Sequence, residues 1–176
     1  PRRRLELDRR QSRTMVHEYS GSSMFPSKIT KPSMFGGGVA VTQLPYDGTG
    51  NIRLRRDTGR IPAPGGGHMP FDYKTETNYV PHTSQVKEMI GPYDATEAPQ
   101  GGMKPHTIFS YYDANGTGDG GVDPLRAFRL KEVRRNSSCP ASGSCTSFVE
   151  QKYLRYDAYG RPTLVADDNG ATTETT

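Results

Sequence analysis

Apolar positions along the chain fall in short runs broken by glycine and proline, and no long window keeps one period. Residues 2–20 carry the best helical signal, with Leu5, Leu7, Met15 and Val16 spaced among arginines and glutamates, and predict one short basic helix. From Gly21 to Gly67, five prolines (Pro26, Pro32, Pro45, Pro62, Pro64) and two glycine triplets at 36–38 and 65–67 break any long helix, so an extended, irregular course is expected. Within it, Val39 to Leu44 predicts a short strand ending at the turn Pro45-Tyr46-Asp47-Gly48. Thr83 to Ile90 predicts a helix of about two turns, capped by Thr83 or Ser84 and stopped by Gly91-Pro92. Beyond Pro105 the pattern turns toward β structure. Thr107 to Tyr112 precedes a glycine-rich turn, Leu125 to Val133 alternates weakly, and Ser147 to Tyr156 with Thr163 to Val165 predicts a hairpin. The expected organisation is a basic N-terminal segment (1–20), an extended Gly/Pro/Tyr-rich binding segment (21–105) and a small β-rich segment (106–176).

Composition sharpens this picture. Leu, Ile, Val and Phe total 28 of 176 residues, about 16%, below the roughly 20% under which chains tend toward disorder. With 20 Gly, 14 Pro and a mean hydropathy of -0.78, little material is left for a core. The fold expected is a mostly irregular, extended chain with few short helices and short β-hairpins, having little hydrophobic core of its own and ordered by the assembly it joins. Ordering each residue costs about 1–2 kcal/mol of backbone entropy, which sparse apolar burial does not offset, so the missing contacts must come from neighbours. Catalysis needs a rigid scaffold, which argues against an enzyme.

The net charge of +4 is local. Arg2, Arg3, Arg4, Arg9, Arg10 and Arg13 face only Glu6 and Asp8; Arg53, Arg55, Arg56 and Arg60 surround Asp57; Lys131, Arg134 and Arg135 form a third cluster. Such clusters fit an acidic partner. No zinc finger, RNA-recognition octamer or lysine-rich tract accompanies them, so an acidic protein surface is favoured over nucleic acid. No apolar run of membrane-spanning length occurs, and no membrane partner is expected.

Candidate chemistry is thin. Cys139 and Cys145 enclose a small loop that a disulfide could close, whereas two thiols are too few for a structural zinc site. Asn115-Gly116-Thr117 and Asn136-Ser137-Ser138 match the glycosylation acceptor pattern. Asp113 to Asp119 matches the first half of a calcium loop, but Pro124 stands where its bidentate carboxylate belongs, leaving a Gly/Asn-rich turn. His17, His68, His82 and His106 are isolated in sequence, and no nucleophile motif appears. No catalytic, metal or cofactor residue is expected.

Tyr-Asp recurs at Tyr46-Asp47, Tyr93-Asp94, Tyr112-Asp113 and Tyr156-Asp157, without a fixed period. The last continues through Gly160-Arg161-Pro162 and Asp167-Asp168-Asn169-Gly170 to Thr173, and resembles one unit of the YD (RHS-type) β-repeats of secreted shell-like proteins. A second stretch, Tyr73-Lys74-Thr75 through Thr77-Asn78-Tyr79 and Pro81 to Glu88-Met89, resembles short motifs of small microtubule inner proteins of cilia, including the Piercer type. It departs from them in having Val80 where Gly usually follows the core Tyr. The second resemblance implies a non-catalytic protein of the cytoplasm and ciliary axoneme, bound along the tubulin lattice of doublet microtubules, with tubulin and neighbouring structural proteins as partners. On that expectation Arg2, Arg3, Arg4, Arg53, Arg55 and Arg56 meet carboxylates, while Phe25, Phe35, Phe71, Tyr73, Tyr79 and Tyr93 fill clefts between subunits. The first resemblance implies an extracellular, β-rich structural glycoprotein. A linker or peripheral subunit of another complex, such as an organellar ribosome or a light-harvesting assembly, is the third reading.

Overall fold

The segments between the turns are strands, and the alternation is clearest where Phe71, Tyr73, Thr75, Thr77 and Tyr79 follow one another at a spacing of two. The computed structural model describes residues 14–21, 24–33, 38–96, 104–118, 120–138 and 146–175. Thirteen strands follow in order: β1 (Val16–Tyr19), β2 (Pro26–Pro32), β3 (Val39–Gln43), β4 (Leu54–Pro62), β5 (His68–Tyr79), β6 (Val86–Asp94), β7 (His106–Tyr111), β8 (Thr117–Gly118), β9 (Gly121–Val122), β10 (Leu130–Ser138), β11 (Thr146–Tyr156), β12 (Pro162–Asp167) and β13 (Thr172–Glu174). Eleven of them form one antiparallel sheet in sequence order, interrupted only where β8 and β9 make a separate ribbon between β7 and β10. A short 3-10 turn, Pro124–Arg126, precedes β10.

This architecture corrects the expected irregular chain with few helices. The composition leaves little material for a core, but here a single sheet pairs its backbone strand by strand, and its side chains are half-covered by neighbours in the same layer. Among the described residues the buried apolar side chains are Tyr112, Tyr156 and Ala166, joined by Arg126 and by Glu132, which pairs with Arg134. Of the five prolines expected to break helices, Pro26 opens β2, Pro32 and Pro62 close β2 and β4, and Pro45 and Pro64 lie in the loops that follow β3 and β4. There a missing N–H costs no ladder bond.

The helix expected at 83–90 is instead the start of β6, in which Glu88, Met89 and Ile90 pair with Ile108, Thr107 and His106. Thr83 caps no helix. Its hydroxyl donates to the Val80 carbonyl (2.9 Å) and accepts from the Gln85 amide (3.1 Å), closing the β5–β6 loop. Of the expected N-terminal helix, the described portion holds strand β1, and residues 1–13 lie outside the described residues. The sheet continues across the composition shift at Pro105, since β6 pairs with β7. Where β4 lacks a side chain at Gly59, the Phe71 ring of β5 covers it; a Cβ there would sit 2.9 Å from the ring, so the aromatic fills the place of the absent side chain.

Candidate functional site

Strands β1, β3, β5, β7 and β11 finish at one end of the sheet, and β2, β4, β6, β10 and β12 begin there. The recurring Asp residues shape the loops at this end. Asp47, Asp113 and Asp157 each turn a carboxylate oxygen onto two backbone amides: Thr49 and Asn51 (2.9 and 3.0 Å), Asn115 and Thr117 (2.9 and 2.8 Å), Tyr159 and Arg161 (2.9 and 2.9 Å). Three residues after each Asp stands a glycine with positive φ, Gly50, Gly116 or Gly160, whose amide donates back to the Asp carbonyl at 3.0–3.1 Å. This is a tight turn followed by a left-handed residue, the conformation that glycine adopts without strain. Asp167 builds the same loop at the opposite end, with Asn169, Gly170 and Ala171.

Hydrogen bonds hold these carboxyls below the usual carboxylate range. Thr49's hydroxyl contributes most at Asp47, the Thr117 amide at Asp113 and the Arg161 amide at Asp157. A carboxyl whose folded pKa is depressed adds stability above its unfolded value, near 3.9, and that stability is lost as pH falls through the folded value. The melting temperature is therefore expected to change little through this term between neutral pH and about 5, and to fall below about 4. Replacing Asp47, Asp113 and Asp157 together by Asn, which keeps an acceptor but does not titrate, should flatten the acid limb in a calorimetric pH series.

The tyrosines at this end do a second job. Tyr46, Tyr79, Tyr111 and Tyr156 stand at or just past the ends of β3, β5, β7 and β11. Their hydroxyls donate to the carbonyls of Pro26 (3.2 Å), Ile52 (3.0 Å), Val86 (2.8 Å) and Leu130 (2.6 Å), at the starts of the strands paired with them. Each tyrosine thus closes one two-strand unit: β2–β3, β4–β5, β6–β7 and β10–β11. Burial raises the phenols of Tyr79, Tyr111 and Tyr156, the last to about 12. Tyr112 turns the other way. Its hydroxyl donates to the Tyr153 carbonyl (2.7 Å), and the Arg126 guanidinium, itself 3.3 Å from Asp123, lies 5.3 Å from its ring centre.

The loops at this end are joined in a row. Asn51 donates to the Thr83 carbonyl (3.1 Å), and Gln85 donates to the Phe128 carbonyl (2.7 Å). Gly160 lies so close to the Arg129 guanidinium that a Cβ there would meet it at 2.4 Å.

Only part of this was visible in the sequence. The recurring Tyr-Asp dipeptide includes Tyr93-Asp94, which lies at the opposite end of the sheet, where the Tyr93 hydroxyl donates to the Glu76 carboxylate and its phenol rises to about 12. The dipeptide is absent at Tyr79, which Val80 follows, and at Tyr111, which Tyr112 follows. The signal that finds all four is position, a tyrosine closing every second strand, and the unequal intervals follow from the connections at 95–105 and 112–129.

The described residues expected to bind a partner have contacts within the sheet. Arg55 pairs with Asp57 (2.7 Å), and Arg56 grips Asp72 with two bonds (2.8 and 2.5 Å). By register these two pairs project from opposite faces of β4. Arg53 is exposed, with Asp47 3.6 Å away. Phe25 stacks on Tyr46 (5.7 Å between ring centres) and Phe71 on Tyr73 (5.4 Å). Arg2, Arg3, Arg4, Phe35, Cys139 and Cys145 lie outside the described residues. Asn115 is exposed on its turn, whereas the Asn136 amide meets the His106 ring (3.0 Å).

That contact belongs to a polar line crossing β5, β6, β7 and β10. Asn78 donates to Glu88 (2.7 Å), Glu88 meets the other nitrogen of His106 (2.5 Å), and Asn136 completes the row. Asn78's amide foremost, with His106 adding to it, holds Glu88 below the usual carboxylate range. The line ties neighbouring strands together. No group of three or more His, Cys, Asp or Glu that could hold a metal occurs among the described residues. In the calcium-like loop the Asp113 oxygen is committed to backbone amides.

Comparison with protein-family models, with catalogued proteins and with solved structures finds no match. What the arrangement can do is therefore read from its own geometry. Its hydroxyls and carboxylates converge on backbone groups of this chain, which builds a regular, self-bonded sheet.

Proposed function

We propose that this chain is a non-catalytic structural module, a run of two-strand β-units of the YD type, in an extracellular shell-like protein. The observation that carries this reading is the set of four tyrosine hydroxyls, each closing one antiparallel pair at the same end of the sheet. The stretch from Tyr156 to Thr173 that resembles a YD unit supports it as well. It contains the last of these tyrosines, the Asp157 and Asp167 loops, strand β12 and the start of β13. A sheet of this kind bears load by backbone pairing and needs no cleft.

The tubulin-lattice reading started from an extended chain ordered by its partner. The segment that suggested it is a hairpin, β5–β6, whose Tyr79 is spent on the Ile52 carbonyl. The two readings separate in one experiment on the purified chain. The module is expected to show a β circular dichroism spectrum, to unfold cooperatively on its own, and to stay in the supernatant when microtubules are pelleted at low and at high salt. Co-pelleting that Tyr73→Ala abolishes, or a chain that is unfolded until microtubules are added, would favour the lattice binder and contradict the proposal.

A further inference from the structure

The two asparagines that match the glycosylation acceptor pattern stand in opposite environments. Asn115 is exposed, in the turn that follows β7. The backbone of that turn is fixed without its side chain. The Asn115 and Thr117 amides donate to one oxygen of the Asp113 carboxylate (2.9 and 2.8 Å), and the Gly116 amide donates to the Asp113 carbonyl (3.1 Å). Thr117, which supplies the hydroxyl of the pattern, is exposed as well, and the residue between them, Gly116, has no side chain to come between acceptor and hydroxyl. Asn136 instead lies half-buried in β10, opposite Ser147 of β11 and with β7 on its other side. Its carboxamide oxygen is buried, and its nitrogen, the atom to which a sugar is joined, lies 3.0 Å from the His106 ring nitrogen.

We propose that Asn115 carries an N-linked glycan and that Asn136 does not. The acceptor is an asparagine with a hydroxyl residue two positions on, and the donor is an oligosaccharide carried on a polyprenyl diphosphate. The Asn115 Nδ2 attacks the anomeric carbon of that oligosaccharide. A nitrogen–carbon bond forms as the carbon–oxygen bond to the diphosphate breaks. The diphosphate leaves with the bonding electrons, the nitrogen gives up one proton, and nothing is oxidised or reduced. Donor and transferase belong to the secretory pathway, so the proposal rests on the extracellular reading given above.

Transfer takes place on a chain that has still to fold, and the folded sheet decides which modified chain is tolerated. A sugar on Asn115 extends into solvent from a turn whose hydrogen bonds it leaves intact. One on Asn136 has to fit between paired strands and disturbs the polar row that runs through His106 to Glu88. A glycan is bulky and solubilising, and at Asn115 it solvates the end of the sheet that the tyrosines close.

The test expresses the full chain behind a cleavable secretion leader in cultured animal cells and maps sugar-bearing peptides of the secreted protein by mass spectrometry. The mass of the sugar itself is read, because an Asn-Gly pair also converts to Asp spontaneously. Asn115 should carry the sugar and Asn136 should be bare. Asn115→Gln and Thr117→Ala should each abolish the modification, Thr117→Ser should keep it, and Asn136→Gln should leave it in place. Secreted protein that is bare at Asn115, sugar on Asn136 of the secreted protein, or retention of the unmutated chain in cells that secrete Asn115→Gln would each overturn the proposal while the extracellular reading stands. Retention of the unmutated chain and Asn115→Gln alike would contradict the extracellular reading, and the proposal falls with it.

Discussion

Gly116→Ala is expected to destabilise the chain by about 3 kcal/mol, from two costs that fall together at this position. Gly116 has a φ of 67°, and a Cβ built there lies 1.9 Å from the Asp123 carbonyl oxygen, a backbone atom that cannot swing aside. The left-handed conformation alone costs an L-residue about 1–2 kcal/mol. Relieving the overlap must also move the connection in which Asp123 holds Arg126 against Tyr112, one of the few buried side chains. Gly170→Ala supplies the comparison. Its φ is 83°, in the corresponding loop after Asp167, but nothing lies within 4 Å of the added Cβ, so only the conformational cost of about 1–2 kcal/mol applies. Urea unfolding of both variants checks the difference, and equal losses would mean that the packing at Gly116 is unimportant.

Tyr156→Ala should cost about 3–5 kcal/mol, the range found when a large buried ring is removed. Tyr156 is 7% exposed, and its hydroxyl donates to the Leu130 carbonyl at 2.6 Å. The variant loses ring contacts in a chain with little buried apolar surface, and it leaves a carbonyl without its donor. Tyr159→Ala, three residues later and 84% exposed, should change stability by less than about 0.5 kcal/mol. Both substitutions remove the same atoms, so thermal melts of the pair separate burial from composition.

These two sites also show what could be read along the chain. The turns are legible in part: the one expected at Pro45 to Gly48 is built two residues later, from Asp47 to Gly50, and the Gly/Asn-rich turn expected from Asp113 is the Asp113 to Gly116 loop. Strand readings at Val39 to Leu44 and Thr107 to Tyr112 coincide closely with β3 and β7, because alternation over a few residues is local. The helix expected at Thr83 to Ile90 is a strand because β5 and β7 flank it, and those partners are set by pairings distant in sequence. Arginine clusters that looked available to a partner include Arg56, whose carboxylate, Asp72, arrives from the next strand by register. The ladder of tyrosines depends on which strands end at which side of the sheet. That is a property of topology, and neither Val80 after Tyr79 nor the unequal loop lengths reveal it in the sequence.

The most direct test of the repeating two-strand unit is urea unfolding of the four hydroxyl deletions, Tyr46→Phe, Tyr79→Phe, Tyr111→Phe and Tyr156→Phe, beside Tyr159→Phe as control. Each of the four should lower stability by about 0.5–1.5 kcal/mol, the net worth of one hydrogen bond, with the smallest loss at Tyr46, whose bond is the longest at 3.2 Å. Tyr159→Phe should be neutral. Four ladder variants as stable as the control would show that the hydroxyls do not close the strand pairs, and would contradict the repeating unit on which the proposed function depends.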